Sequence, residues 1–306
     1  MKKDILVTGG AGFIGSHLVK KLVQNSDYRV IVVDNLSSGD ISNLPTGTIF
    51  YQKDIRDVDI DEIFKNYKID TVVHLAAQTM VGKSMQQPKE DGDINILGAI
   101  NIVENMLKYG AKNMIFSSSA AVYGDVVTLP VTENSNTTPT SFYGLSKLTW
   151  EKYMAIYANA YNFNSTILRF ANVYGPGQGD GGEGGVVSIF AKCLQQNKPL
   201  DIFGDGTQTR DFIYVGDVVD AIALCIEKPE KMTVFNVSTN IQTSILDLIA
   251  TMELVANKKI AVNFAAARMG DIYKSVLDNS KIVNKGMVFN TSLYCGIEST
   301  IKNIFK

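Results

Sequence analysis

The chain has 306 residues, 45% of them hydrophobic and 20% charged, with 29 Lys+Arg against 31 Asp+Glu. That apolar content excludes intrinsic disorder, and a net charge of -2 gives no general attraction to nucleic acid. No apolar run reaches the roughly 18 residues that would cross a membrane, and Met1-Lys2-Lys3-Asp4 leads into a strand rather than a signal-peptide core. In chain order, Ile5-Leu6-Val7, Val30–Val33, Thr71-Val72-Val73, Met114-Ile115-Phe116 and Thr166-Ile167-Leu168 are continuous apolar runs, as in strands buried on both faces of a parallel sheet. Helical spacing lies between them: Ile14, Leu18 and Leu22 repeat at i, i+4, i+8, and Ile96, Ile100, Val103 and Leu107 at i, i+4, i+7, i+11. This β-α-β alternation predicts an α/β fold with a Rossmann-like, doubly wound parallel sheet.

After about Asn172 the texture changes. Gly175 to Gly185 holds seven glycines, followed by an apolar helical segment, Val186 to Leu194, and then shorter strands. The expected division is a first domain over 1–172 and a smaller C-terminal α/β lobe over 173–306, with parts of 208–238 packing back on the first domain. Cys193, Cys225 and Cys295 are odd in number and far apart, which fits a reduced, cytoplasmic setting. His17 and His74 have no cysteine or histidine at ligand spacing, so no metal site is expected, and His74 reads as a structural residue at a strand end.

Gly9, Gly12 and Gly15 form G-x-x-G-x-x-G between the first strand and an amphipathic helix that opens with Phe13 and Ile14. Such glycines give a tight turn, backbone approach to a pyrophosphate and close helix packing, and the helix N-terminus favours phosphate. The second strand ends in Asp34, 19 residues past Gly15, where a carboxylate accepts bonds from an adenosine ribose. No Arg or Lys follows in Asn35-Leu36-Ser37-Ser38-Gly39, so NAD is favoured over NADP.

Ser117-Ser118-Ser119 follows the strand at Met114–Phe116, and Tyr143-Gly144-Leu145-Ser146-Lys147 opens a later helix. Tyr143 and Lys147, at i and i+4, share a face. An ammonium beside a phenol, with the positive charge of an oxidised nicotinamide, favours phenolate. A tyrosine of lowered pKa can take a proton from a sugar hydroxyl as hydride leaves the same carbon, and a serine can hold that oxygen.

These segments together resemble the extended short-chain dehydrogenase/reductase superfamily, in its NAD-dependent nucleotide-sugar epimerase/dehydratase branch. TGGAGFIGSHL, DNLSSG, HLAAQ, SSSAAVYGD, YGLSK, LRFANVYGPG, GDGTQTRDFIYVGDV and RMGD occur in the branch's order along nearly the whole chain. The resemblance implies Tyr143 as base, Lys147 as its partner and as a ligand of the nicotinamide ribose, and Ser119 as the hydroxyl-binding group. It implies cofactor contacts from Gly9, Gly12, Phe13, Ile14, Gly15, Asp34 and Asn35. Asp54 and Ile55 would lie at the adenine, Leu75, Ala76 and Ala77 along the cofactor, and Asn95 at the active-site end of its helix. Asn172, Arg210 and Arg268 would address the substrate diphosphate, and Phe203 would lie along the base.

Family 4,6-dehydratases carry an Asp-Glu pair before Val-Tyr-Gly, and sugar-acid decarboxylases a glutamate; here Ala120 and Ala121 stand instead. What remains resembles a UDP-sugar 4-epimerase with a 4-keto intermediate. Ser275, seven residues beyond Arg268, stands where glucose-restricted relatives carry tyrosine, so UDP-GlcNAc/UDP-GalNAc are expected beside UDP-Glc/UDP-Gal. A slip of register would put Tyr273 or Lys274 there. A frequent arginine is replaced by Gly177, within a glycine-rich loop that is either ordered by substrate or an undemanding surface loop. Three alternatives stay open: a UDP-glucuronate 4-epimerase, a net nucleotide-sugar oxidoreductase releasing NADH, and an NAD-sensing regulator, against which the Ser119, Tyr143 and Lys147 set argues. The resemblance further implies a homodimer through helices near 92–109 and 143–161.

Overall fold

The computed structural model describes residues 2–179, 185–267 and 272–305; Arg268 and residues 180–184 of the glycine-rich segment lie outside that set. Seven strands form one sheet: β1 (Lys3–Thr8), β2 (Tyr28–Asp34), β3 (Ile49–Gln52), β4 (Ile69–His74), β5 (Asn113–Ser119), β6 (Asn164–Phe170) and β7 (Thr233–Val237), in the order β7-β6-β5-β4-β1-β2-β3. The ladders from β3 through β2, β1 and β4 to β5 are parallel. The order reverses between β1 and β4, which makes the sheet doubly wound and sets the carboxyl ends of those strands at the switch point. Thr8 pairs with His74 there.

All five apolar runs fall inside strands, with Ile5, Leu6, Val7 and Val30 to Val33 essentially inaccessible. β3 left no such signal. It is a four-residue edge strand, Ile49-Phe50-Tyr51-Gln52, without one fully buried side chain.

The helices of this unit are α1 (Phe13–Leu22), α2 (Asp61–Asn66), α3 (Val81–Gln86), α4 (Pro88–Gly92), α5 (Ala99–Tyr109) and α6 (Phe142–Tyr161). Between α4 and α5 the chain makes a π-helical turn over Asp93–Gly98. Of the expected stripe, Val103 is fully buried and Ile100 and Leu107 pack partly buried against the core, while Ile96 falls inside the π-turn; Ala99, Ile102 and Met106 are buried beside Val103. These side chains join Phe116, Trp150 and Met154 in the core of the first unit. Burial of each of the Ile, Val, Met and Phe side chains among them contributes roughly 1.5–3 kcal/mol.

Contacts divide the chain into two compact units: Met1–Gly124, Thr137–Arg169 and Val219–Phe235 form the first, and Asp125–Asn136, Phe170–Val218 and Asn236–Lys306 the second. The division is therefore not a single cut near residue 172. Asp125–Asn136 joins the second unit because Val131 N donates to Val276 O, and Asn236 Nδ2 donates to Val131 O. The second unit has its own core, with Val187, Phe190, Leu194, Leu200, Ile202, Leu248, Met252 and Ile297. Three two-stranded pairings complete it, Asn172–Tyr174 with Phe212–Tyr214, Thr209–Arg210 with Thr243–Ser244, and Leu200–Phe203 with Val262–Ala265. No described helix is long and apolar enough to cross a membrane. The three cysteines are unbridged, and Cys295 is exposed.

Candidate active site

The glycine turn is built for close approach. Gly9 has φ +70°, and a Cβ there would stand 2.7 Å from Ala76 N, so the turn lies directly against Leu75-Ala76-Ala77 at the end of β4. A Cβ on Gly15 would stand 2.1 Å from Gly9 O, so α1 packs on the turn with no room for a side chain. Gly12 is the N-cap of α1, without a side-chain cap and with no acidic residue in the first turn. The first-turn amides, Phe13 and Ile14 among them, thus open a helix end suited to an anion. Leu75 N donates to Thr8 O and Ala76 N to Thr8 Oγ1, which ties the two strand ends together. The residues present therefore fit a dinucleotide at the switch point.

Asp34 closes the other side of the turn. Its Oδ2 accepts from Ala11 N at 3.0 Å and its Oδ1 from Leu36 N at 2.8 Å. Asn35 Nδ2 donates to Asp54 Oδ2 at 2.8 Å. Asp54 also takes a two-pronged bond from Arg56, and these bonds, led by Arg56, pull its carboxyl down to about 2. Ile55 is buried beneath Gly98 of the π-turn.

The three serines at the end of β5 have different partners. Ser117 Oγ donates to His74 O, while Ser117 O accepts from Lys147 Nζ at 2.8 Å. Ser118 Oγ donates to Glu151 Oε1 at 2.5 Å. Ser119 accepts from Ala121 N at 3.2 Å and hydrogen-bonds the Tyr143 side chain. The strand pleat separates these roles, and the 3₁₀ turn at Ala120–Val122 fixes Ser119 as its cap.

Tyr143 and Lys147 stand in the first turns of α6, whose N-cap Ser141 accepts from Gly144 N. The Lys147 ammonium lies 5.9 Å from the Tyr143 ring centroid and 4.8 Å from that of Phe116. Burial lowers Lys147 from 10.5 to about 8, while the Asp91 and Glu151 carboxylates act to raise it. The phenol differs from expectation. Burial raises the Tyr143 pKa, the Ser119 bond lowers it and Asp91 raises it further, so in the protein alone the neighbouring ammonium does not give a depressed phenol. His74 is fully buried, bonded to Thr8 Oγ1 at 2.8 Å, and pushed down to about 3 by burial and by Lys147. It is neutral at ordinary pH.

Around this set stand groups that the sequence did not single out. Arg169 binds Glu151 through Nε at 3.0 Å and Nη2 at 2.6 Å, and donates to Tyr123 OH at 2.9 Å. Asp91 accepts from Gln78 Nε2 at 2.7 Å and from Asn95 Nδ2 at 3.3 Å. Asn95 Nδ2 also bonds Ser146 Oγ at 3.0 Å, which joins the π-turn to α6. In the sequence Asp91 looks like one member of a solvated acidic run, Lys89-Glu90-Asp91-Gly92-Asp93, and Glu151 like a surface partner four residues after Lys147.

The remaining sequence-selected residues lie in the second unit. Asn172 N donates to Asp211 O at 2.9 Å, and Gln208 Nε2 to Phe203 O at 2.8 Å. Arg210 pairs with Thr243 in a two-residue ladder. Ser275 N donates to Thr209 O at 3.2 Å and Thr209 N to Tyr273 O, so the segment of Tyr273 and Ser275 runs beside the short strand that carries Arg210. The Tyr273 side chain turns instead to Thr207 Oγ1, at 2.5 Å, and is exposed. Arg268 lies outside the described residues.

Residues 5–238 match the model of the NAD dependent epimerase/dehydratase family. A UDP-glucose 4-epimerase of Mycolicibacterium smegmatis is 36% identical over 282 residues, covering 90% of each chain. The crystal structure of a Thermotoga maritima UDP-glucose 4-epimerase with UDP-glucose superposes with TM-score 0.94 at 40% identity over 98% of both chains. A UDP-N-acetylglucosamine 4-epimerase of Methanobrevibacter ruminantium, in complex with UDP-N-acetylmuramic acid, also gives TM-score 0.94, at 32% identity over 99% of both chains.

Proposed function

The chain belongs to the NAD dependent epimerase/dehydratase family, and from that membership we propose that it is a UDP-sugar 4-epimerase whose base is Tyr143. The observation that carries this reading is the convergence of Ser119, Tyr143 and Lys147 beside the switch point, with alanines at 120 and 121. Tyr143 would accept the proton of the sugar 4-hydroxyl and later return it, while Ser119 Oγ holds the same oxygen. Lys147, anchored on Ser117 O, keeps positive charge beside the phenol. NAD, when bound, supplies the hydride acceptor and donor that makes C4 reversibly a ketone, and its positive nicotinamide favours phenolate. Alanine side chains at 120 and 121 move no proton, so elimination of water has no acid/base pair at those positions.

The Gly9–Gly15 turn, Asp34, Asn35, Asp54, Ile55, Leu75–Ala77 and Asn95 are proposed as the cofactor's surroundings. Asn172, Phe203, Arg210, Arg268 and Ser275 are proposed for the UDP-sugar. A hydroxymethyl group at Ser275 would leave room beside C2 of the sugar where a larger side chain would narrow the wall, which favours acceptance of N-acetylated sugars beside UDP-glucose. Pairing of two copies through α6 and the neighbouring π-turn is supported by exposed Leu97, Leu145, Tyr153 and Ile156. The test is direct: purified protein is incubated separately with UDP-Glc, UDP-GlcNAc and UDP-GlcA, and products are resolved by NMR. Inversion at C4 of UDP-Glc and UDP-GlcNAc is expected. Conversion of UDP-GlcA alone would move the assignment to the acidic sugar, and accumulation of NADH would make the protein a net oxidoreductase.

A further inference from the structure

We propose that Asp91 is a positioning residue for the Tyr143–Lys147 pair: its buried carboxylate holds the first turn of α6 through Asn95 and Ser146 and sets the charge balance that phenol and ammonium share. The inference rests on the reading above for the role of Tyr143. Asp91, Asn95 and Ser146 are each at most 3% exposed. Asn95 Nδ2 donates to Asp91 Oδ1 at 3.3 Å, to Ser146 Oγ at 3.0 Å and to Gln78 O at 3.0 Å, and Ser146 Oγ donates to Tyr143 O at 3.0 Å. A second arm joins Asp91 Oδ1 to Gln78 Nε2, and Gln78 N to Asn95 Oδ1 at 2.8 Å. One carboxylate thus braces the chain following Ala77, the π-turn and the backbone of the base itself.

A carboxylate this deep is costly unless its charge is matched. Among the surrounding groups, Glu90 is paired with Lys83, Asp93 lies in the field of Arg56, Glu151 is bound by Arg169, and His74 is neutral. Lys147 and Tyr143 both feel Asp91, and on each its negative charge favours the protonated form. Asp91 therefore opposes the effect of burial on Lys147 and adds to the effect of burial on the Tyr143 phenol.

The sign of the effect follows. Loss of the charge lets Lys147 deprotonate, and Tyr143 ionise, at lower pH. The test uses Asp91→Asn and the smaller Asp91→Ser, so that failure of one to fold leaves the other. Tyr143 ionisation is read as phenolate absorbance against pH, as the difference between each protein and the same protein carrying Tyr143→Phe. Both variants should ionise Tyr143 at lower pH, and both limbs of the kcat pH profile of the NAD-loaded enzyme on UDP-glucose should move toward acid. The loss in kcat should fall short of the ~100-fold or more for removing the base. Asp91→Glu, which keeps the charge, should restore the wild-type positions of both limbs, and Ser146→Ala should lower kcat without moving them. An unshifted phenolate titration would overturn the inference, since a purely structural carboxylate lowers amplitude only. A wild-type protein inactive on every UDP-sugar would overturn the function instead, and the phenolate titration would still decide the part played by Asp91.

Discussion

At Tyr143 burial works against ionisation and the Ser119 bond works for it. A phenol so placed is protonated at rest, and in the proposed role it would act only while the substrate oxygen and the positive nicotinamide are beside it. Tyr143→Phe removes one hydroxyl and leaves the packing, so kcat should fall at least ~100-fold with the fold intact by circular dichroism. Asp34 gives a second prediction. Its two oxygens already hold Ala11 N and Leu36 N, so Asp34→Ala loosens the turn as well as removing the acceptor for a ribose. Charge-assisted bonds are worth about 1.5–3 kcal/mol each. NAD affinity measured by calorimetry on cofactor-stripped protein should fall, and the margin over NADP should narrow; unchanged affinities for both would remove Asp34 from the site. Ser275→Tyr adds a ring beside the strand that carries Arg210. In the proposed position at the sugar, overpacking would cost roughly 1–3 kcal/mol, about 5- to 150-fold in the ratio of kcat/KM for UDP-GlcNAc to that for UDP-Glc. Equal loss on both substrates would mean general damage to the wall.

At the scale of elements, β5, β6 and α6 are joined by buried charge. Glu151 and Arg169 have side chains only 4% and 5% exposed, and Ser118 and Tyr123 complete their hydrogen bonds. Removing one partner of such a pair leaves the other buried with poor compensation, at a cost of about 3–5 kcal/mol. Glu151→Gln should therefore lower Tm markedly, whereas replacing Glu151 and Arg169 together with Leu and Met should recover much of the loss. Thermal denaturation of the two proteins decides this. The contrast with the glycine turn shows what a linear reading can reach. Gly9, Gly12, Gly15 and Asp34 are bound by local geometry, so spacing alone placed them at a strand end and a helix start. Tyr143 and Lys147 are one helical turn apart, and that too is local. Asp91, Glu151 and Arg169 gain their meaning largely from residues 13 to 46 positions away, and in one dimension they look like surface charge. The π-turn at Asp93–Gly98 left no sign in the spacing of Ile96 and Ile100 for the same reason, because its winding follows from the packing around it and not from residue type.

For the whole molecule, the order β7-β6-β5-β4-β1-β2-β3 was foreseen as a doubly wound sheet because buried parallel strands leave continuous apolar runs. The edge strand β3, half buried, left none. Nor did the sequence disclose that Asp125–Asn136 would leave the first unit for the second, since its ties there run from Val131 and Glu133 to residues more than 100 positions on, at 236, 276 and 278. The central claim concerns the fate of the hydrogen on sugar C4. If Tyr143 moves only the hydroxyl proton, the carbon-bound hydrogen leaves and returns without meeting solvent. The most direct measurement is epimerisation of UDP-glucose deuterated at C4, followed by NMR of the galactose product. Full retention of deuterium at C4, with no label in water and no stoichiometric NADH, is the predicted result. Loss of the label to solvent would show that inversion proceeds by carbon acid chemistry, and would contradict the role given to Tyr143.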